Sequence, residues 1–392
     1  MKRVGIICEC NPFHGGHAYL IERARAAGAD VVVAVMSGCF VQRGEAAVAD
    51  PYFRAETLLA GGADLVLELP FPYSSASAEF FARAGVEILE RLGVEELWFG
   101  SECGDTERLT KAAEIADGAE FRARYEATVR ETGGTAEAFF ATLQACCGEE
   151  IPSSPNDVLG ISYLRAIRSL RASIQPHTVL RVGSAYLDDV LPADHFPSAS
   201  ALRRAWRETG VEGILPYLPS NVAALYATRT AFADLRYAER WILGHFRLTP
   251  AEQLEEIAEL SGGLGNRLAQ AAMQATSLQE LLELAATKKY PTARLRRGIL
   301  FALTGITPRD LRSSPAYVRL LAANRAGREF LAVCRKRATL PVVTRKTDLP
   351  PTAEALRQEH REACARSLYA LCQPEVQAGD ILWKQAPRMR SK

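Results

Sequence analysis

The first hundred residues alternate short apolar runs with stretches of helical periodicity. Val4-Gly5-Ile6-Ile7-Cys8 reads as a strand, and Ala18 to Ala24 as the helix that follows it. Val31 to Met36 is a run rich in β-branched residues, Tyr52 to Ala60 is helical, and Leu65 to Leu69 returns as a strand. A helix over Ala76 to Leu92 and a strand over Glu96 to Phe99 complete the pattern. Strands that are almost continuously apolar and separated by helices predict a parallel sheet covered on both faces. Ligands of such sheets lie beyond the carboxyl ends of the strands. Polar or Gly-rich segments fall there four times, at Glu9 to His17, Ser37 to Glu45, Pro70 to Ser77 and Gly100-Ser101-Glu102.

Beyond this unit, residues 105 to 150 read as a surface helical insertion. Ile151-Pro152-Ser153-Ser154-Pro155-Asn156-Asp157 is a turn-rich loop that opens a helix running through Tyr163 and Arg165. Pro176 to Val182 reads as a further strand, and Phe196 to Arg203 begins another helix, with Ser198 or Ser200 able to cap it. From about Leu235 onward, leucine and alanine recur at three- and four-residue spacing, which predicts a mainly α-helical remainder. The expected organisation is an α/β domain over residues 1–235 and a mainly helical region over residues 236–392. A length of 392 residues also makes two domains the natural expectation.

The chemistry centres on Asn11-Pro12-Phe13-His14-Gly15-Gly16-His17, between the first strand and its helix. A helix N-terminus presents unpaired N–H groups and the positive end of a dipole to whatever sits above it. Asn11-Pro12 marks a turn, and Gly15-Gly16 removes side chains where a ligand must approach the backbone. His14 and His17, three apart, reach the same side of the first turn. Two donors at a helix N-terminus suit a triphosphate that gains charge as pyrophosphate departs. The bland alternative, two exposed loop histidines, leaves the agreement of strand, turn, glycines and histidine pair unexplained. The start of the helix at Ser198 to Arg203 offers a second phosphate grip, through hydroxyls and an arginine one turn on. Gly100, Asn156 and Arg181 are weaker candidates, since a turn glycine, a helix cap and a salt-bridged surface arginine would account for them equally.

Composition is that of a globular protein, and no apolar run approaches membrane-spanning length. Met1-Lys2-Arg3 leads directly into the first strand, without the pattern of a signal peptide, so the cytoplasm is expected. Nine cysteines contain no CxxC pair, which gives no zinc-site signal and points to buried free thiols. A formal net charge of +1 conceals a basic stretch, Lys288 to Lys346, with fifteen Lys and Arg against two acidic residues. Its densest part is Lys288, Lys289, Arg294, Arg296 and Arg297, joined by Arg335-Lys336-Arg337 and Arg345-Lys346. Such a segment suggests a polyanionic partner, although a solvated basic face would look the same. Tyr290 within it is placed either for stacking on a base or for packing between helices.

Asn11-Pro12-Phe13-His14-x-Gly16-His17 resembles the HxGH element of the nucleotidyltransferase and class I aminoacyl-tRNA synthetase superfamily. Ser198 to Arg203 resembles that superfamily's SSTxxR element, with Ser200 in place of the usual threonine and Ala201 in place of a frequent serine. Met36-Ser37-Gly38-x-Phe40-Val41-Gln42-Arg43-Gly44-Glu45, Asp64 to Pro70, Phe99 to Glu102, Pro155-Asn156-x-x-Leu159-Gly160 and Pro176 to Arg181 together resemble the tRNA(Met) cytidine acetate ligase family. Cys39 stands where that family usually has asparagine, and Cys8 and Cys10 stand where larger residues are frequent.

The resemblance implies a Rossmann-like fold and an enzyme that makes acetyl-adenylate from acetate and ATP. The acetyl group would then pass to N4 of the wobble cytidine of elongator tRNA(Met). It implies ATP contacts at Ile7, Cys8, Glu9, Cys10, Asn11, Pro12, Phe13, His14, Gly15, Gly16, His17, Ala18, Tyr19, Leu20, Gly100, Asn156 and Arg181, to which Ser198 and Ser200 are added. His14, His17 and Arg203 fit the stabilisation of the leaving pyrophosphate. Magnesium is expected with ATP, without a carboxylate cluster that would name its ligands. The partners expected are acetate and an RNA, bound through the basic half, rather than DNA or a membrane. The rival reading is an adenylyltransferase acting on a phosphate-bearing metabolite, and a non-catalytic RNA-binding protein is a further one.

Overall fold

The computed structural model describes residues 1–132, 135–147, 154–181, 196–229, 231–334 and 338–390. Ile151 to Ser153, Val182 and Arg335 to Arg337, which entered the sequence expectations, lie outside the described residues. The strands β1 (Arg3–Cys8), β2 (Val31–Ser37), β3 (Leu65–Leu69), β4 (Glu96–Ser101) and β5 (Gln175–Leu180) pair in parallel in the order β5-β4-β1-β2-β3. Every residue of β2 and β3 is buried, as a sheet covered on both faces requires. The strand order reverses between β1 and β4, which opens a crevice at their carboxyl ends.

The helices are α1 (Gly15–Ala26), α2 (Pro51–Ala60), α3 (Ala78–Arg91), α4 (Thr106–Asp117), α5 (Ala119–Thr132), α6 (Thr135–Cys147), α7 (Pro155–Leu170) and α8 (Ala199–Thr209). Alternate residues of the sheet face two cores. Ile7, Val33, Val35 and Leu67 lie beneath α3, α4 and α7, whereas Ile6, Val32, Ala34 and Val66 pack with Phe13, Leu58, Leu202 and Trp206. The region 105–150 is less superficial than its composition suggests. Leu109, Ala112, Ala113 and Ala116 of α4 are buried in the first core, as are Phe121 and Leu143.

The second half is mainly helical, and its helices Glu239–Leu248, Leu264–Gln274, Leu278–Ala285, Thr292–Thr304 and Ala353–Leu371 share a third core. Cys39, Phe40 and Phe71, from the loops after β2 and β3, belong to that core, so the helices pack beside the ligand end of the sheet. One element departs from the sequence expectation. β6 (Val318–Ala323) joins the sheet antiparallel to β3, and β7 (Val342–Val343) and β8 (Arg388–Met389) pair with β6. Its leucines and alanines favour helix, and its strand partner is distant in sequence, so only tertiary pairing decides its state. No described helix is long and apolar enough to cross a membrane.

A buried charge cluster fastens this second half to the sheet. Arg366 of the Ala353–Leu371 helix lies 2.8 Å from Glu68 of β3 and 3.3 Å from Glu362. Arg319 of β6 is 3.7 Å from Glu68 and 3.6 Å from Glu362, and Tyr317 donates to Glu362 at 2.9 Å. Trp383 covers both guanidinium groups. Two cations and two anions balance, whereas removing one leaves an uncompensated buried charge. Arg366→Met should therefore lower the free energy of unfolding by about 3–5 kcal/mol, measured by urea denaturation.

Candidate functional site

The loop between β1 and α1 is shaped by one side chain of α2. The guanidinium of Arg54 is fully buried and donates to the carbonyls of Glu9 (2.6 Å), Ser37 (2.9 Å), Ala49 (2.9 Å) and Gly38. The ends of β1 and β2 are thereby held to a common point. Asn11 adds a second tie, accepting from the Val48 N–H at 2.7 Å. Phe13 is wholly buried, and Pro12 is also buried. Neither lines the cavity above the loop, so both shape the turn rather than meet a ligand.

His14 and His17 cap α1 reciprocally. His14 Nδ1 accepts from the Gly16 N–H at 3.0 Å, and His17 Nδ1 accepts from the His14 N–H at 3.2 Å. This is a capping box with imidazoles in the places of the usual hydroxyl and carboxamide. Because each Nδ1 accepts, the proton of each neutral ring sits on Nε2, and that N–H is the donor left for a ligand. Burial drives the pKa of His14 well below the ordinary value, helped by His17, Arg181 and Arg203. Burial and then Arg181 lower His17 to about 4. At neutral pH both rings are uncharged donors beside the N-terminus of α1.

Across the crevice, the loops after β4 and β5 are joined to α7. Asp157 accepts from the N–H groups of Glu102 (3.0 Å) and Cys103 (3.1 Å), and Ser154 donates to both Glu102 and Asp157. Asn156 Nδ2 donates to Glu102 at 2.6 Å, and Arg181 lies 3.5 Å from the same carboxylate. A Cβ on Gly100 would stand 3.2 Å from Arg181 Cγ, so glycine allows this arginine to lie over the strand end. Ser198 caps α8 by accepting from the Ala201 N–H at 3.0 Å. Arg203 donates to the Asn11 carbonyl (3.0 Å) and to Ser200 (3.3 Å), and it lies 3.3 Å from Glu45.

One cavity at the switch point brings these pieces together. Ile7, Cys8, Glu9, Cys10, Asn11, His14, Gly16, His17, Tyr19 and Leu20 line it from the β1 side, and Gly100, Asn156, Arg181, Ser198, Ser200 and Arg203 from the other. Gly15 and Ala18 stay outside the lining, and a Cβ on Gly15 would meet the ring of Phe196. Residue-by-residue reading of the sequence missed Gln42, Glu45 and Tyr163, which also line the cavity. Tyr163 stands seven residues after Asn156, on the same face of α7, and that spacing was the available signal. Three buried groups at the wall, Asn11 Nδ2, Gln42 Nε2 and the Tyr163 hydroxyl, have no hydrogen-bond partner among the described residues. Buried polar groups are seldom left so, and a ligand is the natural partner.

The basic stretch is not one open surface. Arg294 and Arg297 lie 3.6 and 2.9 Å from Glu259, Arg296 lies 2.6 Å from Glu45, and Arg319 is buried. Lys288 and Lys289 are exposed. Tyr290 is buried and donates to the Gly262 carbonyl at 2.6 Å, which makes it a packing residue. The thiols are free, although Cys8, Cys103, Cys146, Cys147 and Cys364 are only partly buried.

Fold and site together define a nucleotidyltransferase of the HIGH class, and the chain matches the family model "HIGH Nucleotidyl Transferase" over residues 1–381. It is 38% identical over 358 residues to the tRNA(Met) cytidine acetate ligase of Syntrophotalea carbinolica, spanning 88% of this chain and 85% of that one. To the enzyme of the same name from Listeria monocytogenes it is 36% identical over 394 residues, spanning 97% and 98% of the two chains. Among solved structures it resembles Thermotoga maritima TmcAL in its apo form I, with a TM-score of 0.92 and 30% identity over the whole of both chains. A form of that protein bound with alpha-thio ATP matches over the same extent with a TM-score of 0.90 and 28% identity. The chain belongs to the tRNA(Met) cytidine acetate ligase family.

The depressed histidines make stability depend on pH. Unfolded His17 takes up a proton near its ordinary 6.5, whereas folded His17 resists protonation down to about 4. The stabilisation is thus present above pH 6.5 and is lost as the pH falls towards 4. Between pH 7 and 5 this one group should cost about 2 kcal/mol. His17→Gln keeps a side chain able to complete the capping box. In urea titrations at the two pH values, it should lose less stability on acidification than the wild type does.

Proposed function

We propose that this protein activates acetate with ATP, forming acetyl-adenylate and pyrophosphate, and transfers the acetyl group to N4 of the wobble cytidine of elongator tRNA(Met) in the cytoplasm. The observation that carries the proposal is the pair of neutral Nε2–H donors at the start of α1, in the crevice between β1 and β4. Acetate is a poor acyl donor because its leaving group would be an oxide, and a mixed anhydride with AMP removes that barrier. Family membership supports this reading over transfer of AMP to a phosphate-bearing metabolite, and no feature of the cavity favours the latter.

In this reading Gly100, Asn156 and Arg181 receive the nucleoside end of ATP. His14, His17, the N-terminus of α1 and Arg203 meet the phosphates and stabilise the charge that develops on pyrophosphate. Among the described residues, no group of three or more His, Cys, Asp and Glu side chains is placed to hold a metal. Magnesium that accompanies ATP would be held chiefly by phosphate oxygens and water, the usual habit of this ion. The unpartnered Asn11 Nδ2, Gln42 Nε2 and Tyr163 hydroxyl suit the carboxylate of acetate.

For the RNA, the proposal assigns residues 236–392 as the binding region and residues 1–235 as the catalytic one. Lys288 and Lys289 are its exposed cations in the dense basic cluster. A second cleft bounded by Arg203, Arg207, Arg236 and Arg296 adjoins the catalytic cavity and gives a phosphate backbone a path towards it.

Purified protein incubated with ATP, labelled acetate and tRNA should yield labelled N4-acetylcytidine after digestion to nucleosides. Acetyl-CoA should not replace acetate plus ATP. His14→Ala/His17→Ala should lower the rate by at least about 100-fold, and Lys288→Ala/Lys289→Ala should flatten the salt dependence of tRNA binding by about one to two phosphate contacts. Labelled tRNA absent while AMP-containing products still form would refute the proposal. Gln42→Met should raise the KM for acetate by about tenfold with a smaller effect on the KM for ATP. Equal effects on both would remove Gln42 from the acetate site.

A further inference from the structure

The second half of the proposed reaction requires a proton to leave the attacking amine, and no group assigned so far receives it. The histidines have their Nδ1 atoms committed to the backbone and their Nε2 atoms protonated, so they are donors. Glu45 is held between Arg203 and Arg296. Glu9 is different. It extends from the carboxyl end of β1 into the cavity wall, one residue beyond the strand and five before His14. One oxygen, Oε1, accepts the Gln42 N–H at 2.9 Å, which orients the carboxylate. Its other oxygen has no hydrogen-bond partner among the described residues, and no cation lies within ion-pair distance among them.

Resting on the proposed function, we infer that Glu9 is the general base of acetyl transfer, and not a contact for the phosphates of ATP. A carboxylate beside a triphosphate would be repelled by it, which makes a role in ATP affinity a poor use of this position. A carboxylate beside an acyl-adenylate, whose phosphate carries a single negative charge, and an uncharged incoming amine is repelled far less. The amine nitrogen attacks the acetyl carbonyl carbon, and a C–N bond forms. The bond from that carbon to the phosphate oxygen breaks, and AMP leaves with the electron pair. The proton displaced from nitrogen passes to the free oxygen of Glu9 and from there to water, which restores the carboxylate.

The surroundings suit this task. Burial raises the carboxyl above its ordinary value, opposed by Arg203 and the Gln42 N–H and reinforced by Glu45. A more basic carboxylate is a better proton acceptor, provided it remains ionised at working pH. The charged and titratable groups that face Glu9 are Arg203 of α8, Arg43 and Glu45 of the loop after β2, Tyr163 of α7 and its neighbours Cys8 and Cys10. Arg54 of α2 holds the Glu9 carbonyl. Of these, Arg203 and Arg43 oppose the rise and favour the ionised form.

The test separates the two half-reactions. Acetate-dependent exchange of labelled pyrophosphate into ATP, without tRNA, reads adenylation, and N4-acetylcytidine formation at saturating ATP and acetate reads transfer. Glu9→Gln should reduce transfer by about 100- to 10,000-fold and exchange by less than about tenfold. The wild-type transfer rate should rise with pH through an acid limb that Glu9→Gln lacks and Glu9→Asp keeps at a lower rate. Exchange falling in step with transfer would overturn the inference, because Glu9 would then serve ATP, acetate or magnesium. Transfer left within tenfold of the wild type would also overturn it. A wild-type protein that acetylates no tRNA and exchanges no pyrophosphate would overturn the proposed function itself, an outcome distinct from either.

Discussion

A single buried guanidinium sets the geometry on which the site depends. Arg54 has no carboxylate within ion-pair distance among the described residues, and its charge is met by four backbone carbonyls. A buried cation without an anion is tolerated only when its donors are satisfied. Here the carbonyls come from the residue just beyond β1, from the end of β2 and from the approach to α2, three pieces of chain with no shared ladder at that point. Cys10, the next residue after the Glu9 carbonyl, adopts a left-handed backbone with φ 47°. The chain therefore turns sharply beyond β1, and Asn11 to His14 are delivered across the crevice to start α1. The donors of the histidine pair are the product of that turn.

The helical half contributes to the same edge of the cavity. Gly44 has φ +72°, and a Cβ there would lie 2.6 Å from the backbone of Arg296 and Arg297. Both its conformation and the close approach require glycine. The helix Thr292–Thr304 is thereby seated against the loop after β2, and Glu45 of that loop receives Arg296 on one side and Arg203 on the other. Arg296, which the sequence places in a basic cluster, thus acts as an assembly contact between the two halves. Its position joins the proposed RNA path to the adenylation site through one carboxylate.

The sheet was largely legible because its strands carry continuous apolar runs, and Leu65 to Leu69 coincide with the observed β3. β6 was not, because its residues favour helix and its pairing with β3 is set by distant chain. The site followed the same division. His14, His17, Asn156, Arg181 and Arg203 stand in motifs with local geometry, and they meet in one cavity. Arg54 lies in an ordinary helical pattern, and nothing in its neighbours announces four carbonyl partners. The charge pairing within Lys288 to Lys346 was not legible for a related reason. A count of charges along the chain does not see Glu45 or Glu259, which neutralise Arg296, Arg294 and Arg297 only after folding.

The electrostatic design of the crevice bears on turnover as well as on affinity. A site that met ATP with four fixed cations would bind pyrophosphate tightly after the bond had broken, and uniform binding of substrate and product does not raise turnover. Here Arg181 and Arg203 carry charge, while burial keeps the imidazoles neutral. Arg203 is itself shared with Glu45, which weakens its hold on any one ligand. The interactions that remain are directional donors from Nε2 and the α1 backbone, strongest where charge develops on the departing oxygens. Under the proposed reaction, the same burial that keeps the histidines neutral serves pyrophosphate release as well as bond breaking.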